Sequence, residues 1–494
     1  MNDKLTPRQI AGSLIMIRMP GTSLDEDTAN FLRANRIRAV CLFRGNMQNA
    51  EQLSKFTADL RAVMGPDSLI AIDQEGGAVV RATWLPPPPA AMALGAADDA
   101  ALAREVGAAV ARGVRSLGFN WNFAPVLDLN NNPDNPVIAE RSFGSDPRRA
   151  TELALAWMEG SLAEGVACCV KHAPGHGDTH VDSHRDLPTV SKDLTALEAM
   201  EFSPFKQAVH APAMMTAHIV YPALDPEYPA TLSRAVLTGL IREQWNYQGI
   251  VITDGMDMHA IAGRYGAGNA AVLALLAGAD MVMALGDRAT QTASLDALEE
   301  AITSGRIGAG ELNMRLARLD ALAREYPCGQ PAYATDAPDR ELMARAWKAG
   351  LTAYGNPPRP AAGARLRLVV RADVVSDGVS EAGVPAAHLA EWLSSRYDVA
   401  TTTFADAETF DWGSLPDDGR FVLLASTARL RYGPHARGTF KPDLHLALWN
   451  PFQALDIAAP ALLTYGFADP ALDAVQAWFD GAIDAAGRCP VEGF

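Results

Sequence analysis

Several things that would have pointed elsewhere are scarce or missing in this sequence. Cysteine is rare: five in 494 residues, at positions 41, 168, 169, 328 and 489, odd in number and irregular in spacing. That excludes a disulfide framework, and no CxxC pair is present. Cys168 and Cys169 fall inside an apolar run, where thiols are ordinary packing residues. Long hydrophobic runs are missing as well. No apolar stretch reaches the roughly 20 residues that cross a bilayer. The start, MNDKLTPRQIAGSLIMIRMPG, carries neither a secretory h-region nor a cleavage site. A reduced, cytoplasmic protein is expected. Positive charge is in deficit, 42 Lys and Arg against 58 Asp and Glu, and the net charge of −16 disfavours nucleic acid and anionic membrane as partners. Internal repeats and low-complexity tails are absent too.

What is present is a regular alternation. Short apolar runs recur at 13–19, 39–43, 69–73, 122–129, 166–170, 213–218, 249–254 and 281–285, each followed by a helix-like segment. Eight such units predict a (β/α)8 TIM-like barrel, with polar residues at the strand ends facing one mouth. Those residues are Asp73 in DQEGG, Lys171 and His172, His218, and Asp254. LPPPPAAMALG (85–95) reads as a stiff connection beside that mouth. Past about residue 325 the composition shifts to the linker-like EYPCGQPAYATDAPDR. Apolar runs at 365–372, 420–427 and 461–467, interleaved with helical stretches, then predict a smaller doubly wound α/β sandwich domain. The expected division is 1–334 for barrel and linker and 335–494 for the second domain.

The most informative stretch is KHAPGHGDTHVDSHRDLP, residues 171–188, which holds four of the ten histidines, at 172, 176, 180 and 184. Their spacing of four would share a helix face and suggest a metal. Pro174, Gly175 and Gly177 break any helix there, so no common face is expected, although a loop could still wrap an ion. The other reading pairs Asp182 with His184. A carboxylate two residues from an imidazole in a turn can accept its N–H and fix its tautomer, giving a proton-transfer group near neutral pH.

This run resembles the signature loop of glycoside hydrolase family 3, in the branch of β-N-acetylglucosaminidases carrying KH-x-PGHG-x(4)-DSH. The resemblance extends over residues 5–325, through DQEGG with Arg81, NFAPVLDLNNNPDNPVIAERSFG, MMTAHIVYPALDP and GIVITDGMDM. It implies a retaining exo-β-N-acetylglucosaminidase that needs no metal or cofactor. Asp254 would be the nucleophile, with Asp257 as its rival, and Gly255 stands where the family often has Asp or Ala. Asp182 and His184 would form the acid/base dyad. Asp73, Arg81, Arg141, Lys171 and His172 would line the subsite of the non-reducing sugar, unless Arg141 braces Asp128 or Glu140. His176 and His218 would join them, touching sugar or holding the site from behind. The implied partner is a small carbohydrate, including muropeptide fragments of peptidoglycan turnover. Three other readings stand beside this one: a glycoside phosphorylase on the same scaffold, a metal-dependent hydrolase built on His172–His184, and a non-catalytic sugar-binding protein on a barrel scaffold, against which Asp254 and the Asp182–His184 pair speak.

Overall fold

The computed structural model describes residues 5–180, 187–334, 337–372, 379–380 and 383–494. Eight parallel strands close into a barrel in chain order: β1 Ile15–Arg18, β2 Ala39–Leu42, β3 Leu69–Ile72, β4 Trp121–Asn122, β5 Ala167–Ala173, β6 Ala213–Thr216, β7 Ile250–Gly255 and β8 Met281–Ala284. Pairing of Ile15 with Val282 shuts the ring. Nearly every strand residue is buried, as it must be where helices cover a parallel sheet. One expected run departs from this pattern. NFAPVLDL predicts a strand over 122–129, but only Trp121 and Asn122 join the ladder. Pro125 has no N–H to give, and beyond it the chain makes only the isolated bridge of Val126 to Lys171.

The helices are amphipathic for local reasons. Asp99 caps the helix Ala100–Ser116, its side chain accepting from the amides of Ala101 and Leu102. Leu102, Val106, Val110 and Val114, four residues apart, form its buried stripe. This helix crosses Pro147–Ala163 at a pair of glycines. A Cβ on Gly107 would lie 2.0 Å from the Trp157 carbonyl oxygen, and one on Gly160 2.0 Å from that of Arg104.

The second unit is a six-stranded sheet of β9 Thr352–Tyr354, β10 Arg365–Arg371, β11 Asp398–Phe404, β12 Phe421–Ser426, β13 Leu444–Ala447 and β14 Ala461–Leu463. Its order is β11-β10-β12-β13-β14-β9, with only β9 antiparallel. The five parallel strands thus follow a doubly wound order. Alternation along β10 shows that both faces are covered. Leu366, Leu368 and Val370 join one core with Leu389 and Leu393, while Val369 joins another with Phe440.

The two units are tightly joined. The helix Ala337–Gly350 packs on barrel helices Ala91–Ala97 and Ala100–Ser116 and on Asp469–Phe479 of the second unit. Its Trp347 indole N–H donates to the Pro87 carbonyl at 2.9 Å. On the other side of the proline run, Gly77 N–H donates to the Pro88 carbonyl at 2.9 Å. A Cβ on Gly76 would meet the Pro89 oxygen at 2.2 Å, so the DQEGG turn needs glycine there. The prolines are a wedge between that turn and Trp347.

At the opposite, N-terminal rim of the barrel, Asn120 is buried and fully used. It donates to the carbonyls of Ser68 (3.1 Å) and Tyr326 (2.8 Å) and accepts from Ile70 N–H (2.8 Å). Asn120→Ala should cost on the order of 3 kcal/mol, since three buried partners lose their bonds. Turnover by the folded protein should not change, because this rim is remote from the mouth. Denaturant unfolding together with steady-state kinetics checks both halves; a kinetic defect without loss of stability would contradict the assignment.

Candidate active site

Two strands lose their regular register where they deliver polar side chains. The pairing of β5 with β6 shifts between Val170 and Ala173, at Lys171 and His172. That of β7 with β8 shifts between Ile252 and Gly255, at Asp254. Such irregularities re-aim side chains at functional rims. Around them lies a cavity of about 260 Å³. Asp73, Arg81, Arg141, Lys171, His172, His176, Asp254 and Asp257 all line it, with apolar walls from Phe123, Met215, Met283 and Leu285. Because β3 and β7 are four strands apart in an eight-stranded ring, Asp73 and Asp254 face each other across the mouth.

One side of the cavity is a lattice of fixed charges. The Lys171 ammonium sits 2.7 Å from Asp73 Oδ1 and 2.6 Å from Glu75 Oε1. Arg141 grips both Glu75 oxygens, through Nε at 2.9 Å and Nη2 at 2.8 Å. Arg81 lies 3.8 Å from Asp73 Oδ2. Burial alone would raise the Glu75 carboxyl, but Arg141 and Lys171 reverse this and hold it far below the usual carboxylate range. Burial likewise works against the Lys171 charge, and Asp73 and Glu75 keep its pKa above the ordinary lysine value. Arg141 therefore does not brace Asp128 or Glu140; its carboxylate is Glu75. That residue was within reach of the sequence reading, two positions beyond Asp73 in DQEGG.

A second buried acid, Asp128, organises the 171–180 segment. Its carboxylate accepts from the amides of His172 (3.1 Å) and His176 (2.6 Å) and from His172 Nδ1 (2.7 Å). In the neutral ring this fixes the proton on Nδ1 and leaves Nε2 as the acceptor. Burial, then the proximity of His172, pushes the His176 pKa down to about 4. Its Nδ1 lies 3.0 Å from the Thr179 hydroxyl. His180 Nδ1 lies 3.2 Å from the Asn132 amide nitrogen. Among the described residues of this loop, then, each histidine is engaged by a protein side chain.

His218 sits behind the cavity rather than in its lining. Its Nε2 is 2.9 Å from the Gly255 carbonyl, which can only accept, so that nitrogen carries the proton. Nδ1 lies 2.8 Å from Thr231 Oγ1, a hydroxyl that also lies 2.9 Å from the Ala217 carbonyl. The ring thus fixes the backbone next to Asp254, whose Oδ1 accepts from Gly255 N–H at 2.7 Å. Both candidate aspartates reach the cavity: Asp254 from the strand, Asp257 from the turn after it. Asp182 and His184 lie outside the described residues.

Among the lining residues that the sequence did not mark, three stand at the rim near β1, β2 and β4. Arg18 ends β1 and stacks its guanidinium 4.6 Å from the centre of the Phe43 ring, just past β2. Both line the cavity. Val137, from the loop after β4, is the third. Strand-end position was the available signal for Arg18, since the barrel rule applies to β1 as to the others.

A model of the glycosyl hydrolase family 3 N-terminal domain matches residues 8–322. Beta-hexosaminidase A of Pseudoalteromonas piscicida is 33% identical over 391 residues, which are 72% of this chain. The match spans 62% of that relative, under two thirds of its length. A beta-hexosaminidase of Alkalilimnicola ehrlichii is 37% identical over 278 residues, covering 54% of this chain and 79% of that protein. Among solved structures, a glycoside hydrolase family 3 beta-N-acetylglucosaminidase from Paenibacillus sp. matches with a TM-score of 0.89 at 32% identity, over 99% of both chains.

The depressed His176 pKa has a consequence for stability. An unfolded histidine takes up a proton near pH 6.5, and the buried ring resists this until about pH 4. Its contribution is therefore intact above pH 6.5 and is lost as pH falls toward 4, at about 1.4 kcal/mol per pH unit. His176→Gln should have a shallower acid-side slope by that amount in denaturant unfolding. Parallel slopes would mean that the folded ring titrates normally.

Proposed function

The chain belongs to glycosyl hydrolase family 3, and from that membership we propose that it is an exo-acting β-N-acetylglucosaminidase that retains anomeric configuration. The observation that carries this reading is the cavity. About 260 Å³ is small for a ligand cleft, and suits one sugar unit better than a chain. One side presents the Asp73–Lys171–Glu75–Arg141 lattice, dense in charge-assisted partners for sugar hydroxyls. Across the mouth stands Asp254 on a rigid strand, suited to attack on the anomeric carbon. The preference for an N-acetyl sugar rests on the relatives.

In this reading the terminal sugar is held by Asp73, Arg81, Arg141, Lys171 and His172. Asp254 displaces the leaving group to form a glycosyl ester, which water then hydrolyses. We assign the proton to His184, with Asp182 as its orienting carboxylate. Sequence alone supports that pair. An imidazolium can give a proton to the departing oxygen and, once neutral, take one from the incoming water.

The leaving group is read as anionic, a fragment of peptidoglycan turnover. What supports this is Arg18, an exposed cation at the cavity rim that stacks on Phe43 and has no carboxylate partner among the described residues. A cytoplasmic setting suits five unpaired cysteines, four of them buried.

The test is a panel of aryl β-glycosides and carboxylate-bearing disaccharides, with and without inorganic phosphate. Release of free N-acetylglucosamine is expected; accumulation of sugar 1-phosphate would make the protein a phosphorylase. Asp254→Ala should lower turnover at least about a thousandfold, and a fluoro sugar that arrests the ester should label Asp254. Labelling of Asp257 instead would overturn the assignment. Arg18→Gln should raise KM roughly two- to fivefold for carboxylate-bearing leaving groups, the worth of an exposed charge pair, and leave neutral aryl glycosides unaffected. Equal effects on both classes would rule out an anionic leaving group.

A further inference from the structure

Glu140 and Arg141 are neighbours on the short turn Ala139–Arg141 and serve opposite sides of it. Arg141 lines the cavity. Glu140 is held by the second domain: its Oε1 accepts from Arg429 Nη2 at 2.9 Å and from the Trp449 indole N–H at 2.8 Å. Arg429 also reaches the loop backbone, donating through Nη1 to the Val137 carbonyl at 3.2 Å. That same oxygen accepts from Arg141 Nη1 at 3.3 Å. A single carbonyl thus stands between an arginine of the second domain and one of the cavity. The contact is dry, with Glu140 1% and Arg429 4% exposed. Farther along the loop, Arg431 pairs with Asp134 at 3.0 Å.

The loop so held also ties down the 171–180 segment. Asn135 donates to the carbonyls of His176 (2.9 Å) and Gly177 (2.8 Å), and accepts from the amides of Val137 (2.9 Å) and Ile138 (2.8 Å). Arg429 follows β12 and Trp449 follows β13, so the grip comes from the carboxyl ends of the parallel strands. In a doubly wound sheet that edge is where ligands usually bind. Here part of it is occupied by the barrel's own loop.

We propose that Arg429 is a positioning residue for the barrel site: through Glu140 and the Val137 carbonyl, the second domain sets the placement of Arg141 against the sugar. This rests on the reading of the cavity as a sugar site. A buried pair of this kind is weak grounds for stability by itself and is better suited to fixing one geometry. Trp449 contributes by locking the carboxylate orientation. Losing either should loosen the hold on substrate more than it slows the bond-breaking step.

The test uses the full-length protein, with kcat and KM on an aryl β-N-acetylglucosaminide, calorimetric affinity for N-acetylglucosamine, and thermal unfolding. Arg429→Met should raise KM and weaken the sugar by the same factor, roughly tenfold, with kcat changed about twofold or less. Trp449→Phe, which keeps most of the ring and removes one hydrogen bond, should do the same more mildly. It stands in should Arg429→Met fail to fold. The decisive measurement is the cycle with Arg141→Lys. If Arg429 acts through Arg141, its substitution should have little further effect on KM in that background. Additive effects, or a lowered melting temperature with unchanged KM and sugar affinity, would overturn the proposal. A wild-type protein that turns over no β-glycoside and binds no sugar would overturn this inference and the functional reading together, whereas wild-type turnover with unaltered variants would overturn this inference alone.

Discussion

The rest of the site depends on how one buried carboxylate, Glu75, is neutralised. Lys171 and Arg141 are both buried and must stay charged, and burial of either cation alone would be costly. Glu75 stands between them, within 2.6 Å of the ammonium and held by both arms of the guanidinium fork. Its position follows from covalent structure. It comes two residues after Asp73, at the start of the DQEGG turn. That turn closes on itself through Gly76 and Val79 and is pressed from behind by the proline run. The proline wedge, Trp347 and the glycines therefore share one task, which is to hold an acid where two cations need it.

Much of this was legible in the sequence, and the limits are physical. Eight apolar runs became eight strands because a parallel barrel buries both faces, and continuous hydrophobicity is a strong signal. The exception is instructive. In NFAPVLDL the hydrophobicity persists while Pro125 ends the ladder, and Asp128 is released to organise His172 and His176. Of the three unforeseen strands in the second domain, β11 is an edge, with threonines that alternate toward solvent. β9 is the opposite edge and only three residues long, and β13 is four residues with a buried histidine in the middle. None offers a run that stands out from its surroundings.

The site was legible in a different way. Of the residues that line the cavity, Asp73, Lys171, His172 and Asp254 stand at or beside strand ends and could be named one by one. Residues that hold them, Glu75, Asp128 and Thr231, are recognised only through their partners, and partner choice is set in three dimensions. The case of Arg141 shows this. The partners that the sequence offered as alternatives to sugar were Glu140 and Asp128, yet its fork closes on Glu75, 66 residues away. Glu140, its immediate neighbour, turns to the second domain instead. His218 is the converse: it was expected at the end of a strand, lies two residues past β6, and its ring is committed to the backbone beside Asp254.

The grip of Arg429 on Glu140 joins residues 289 positions apart. A ribosome releases Glu140 first. At about 5–20 residues per second the anchor follows on the order of half a minute later. Throughout that interval the turn carrying Arg141 exists without its counter-charge. Glu140 meets water where the finished protein gives it an arginine and an indole. The nascent barrel thus has its strands and Asp254 before this loop is fastened. The placement of Arg141 is therefore fastened by a part of the chain made later than the strands around it.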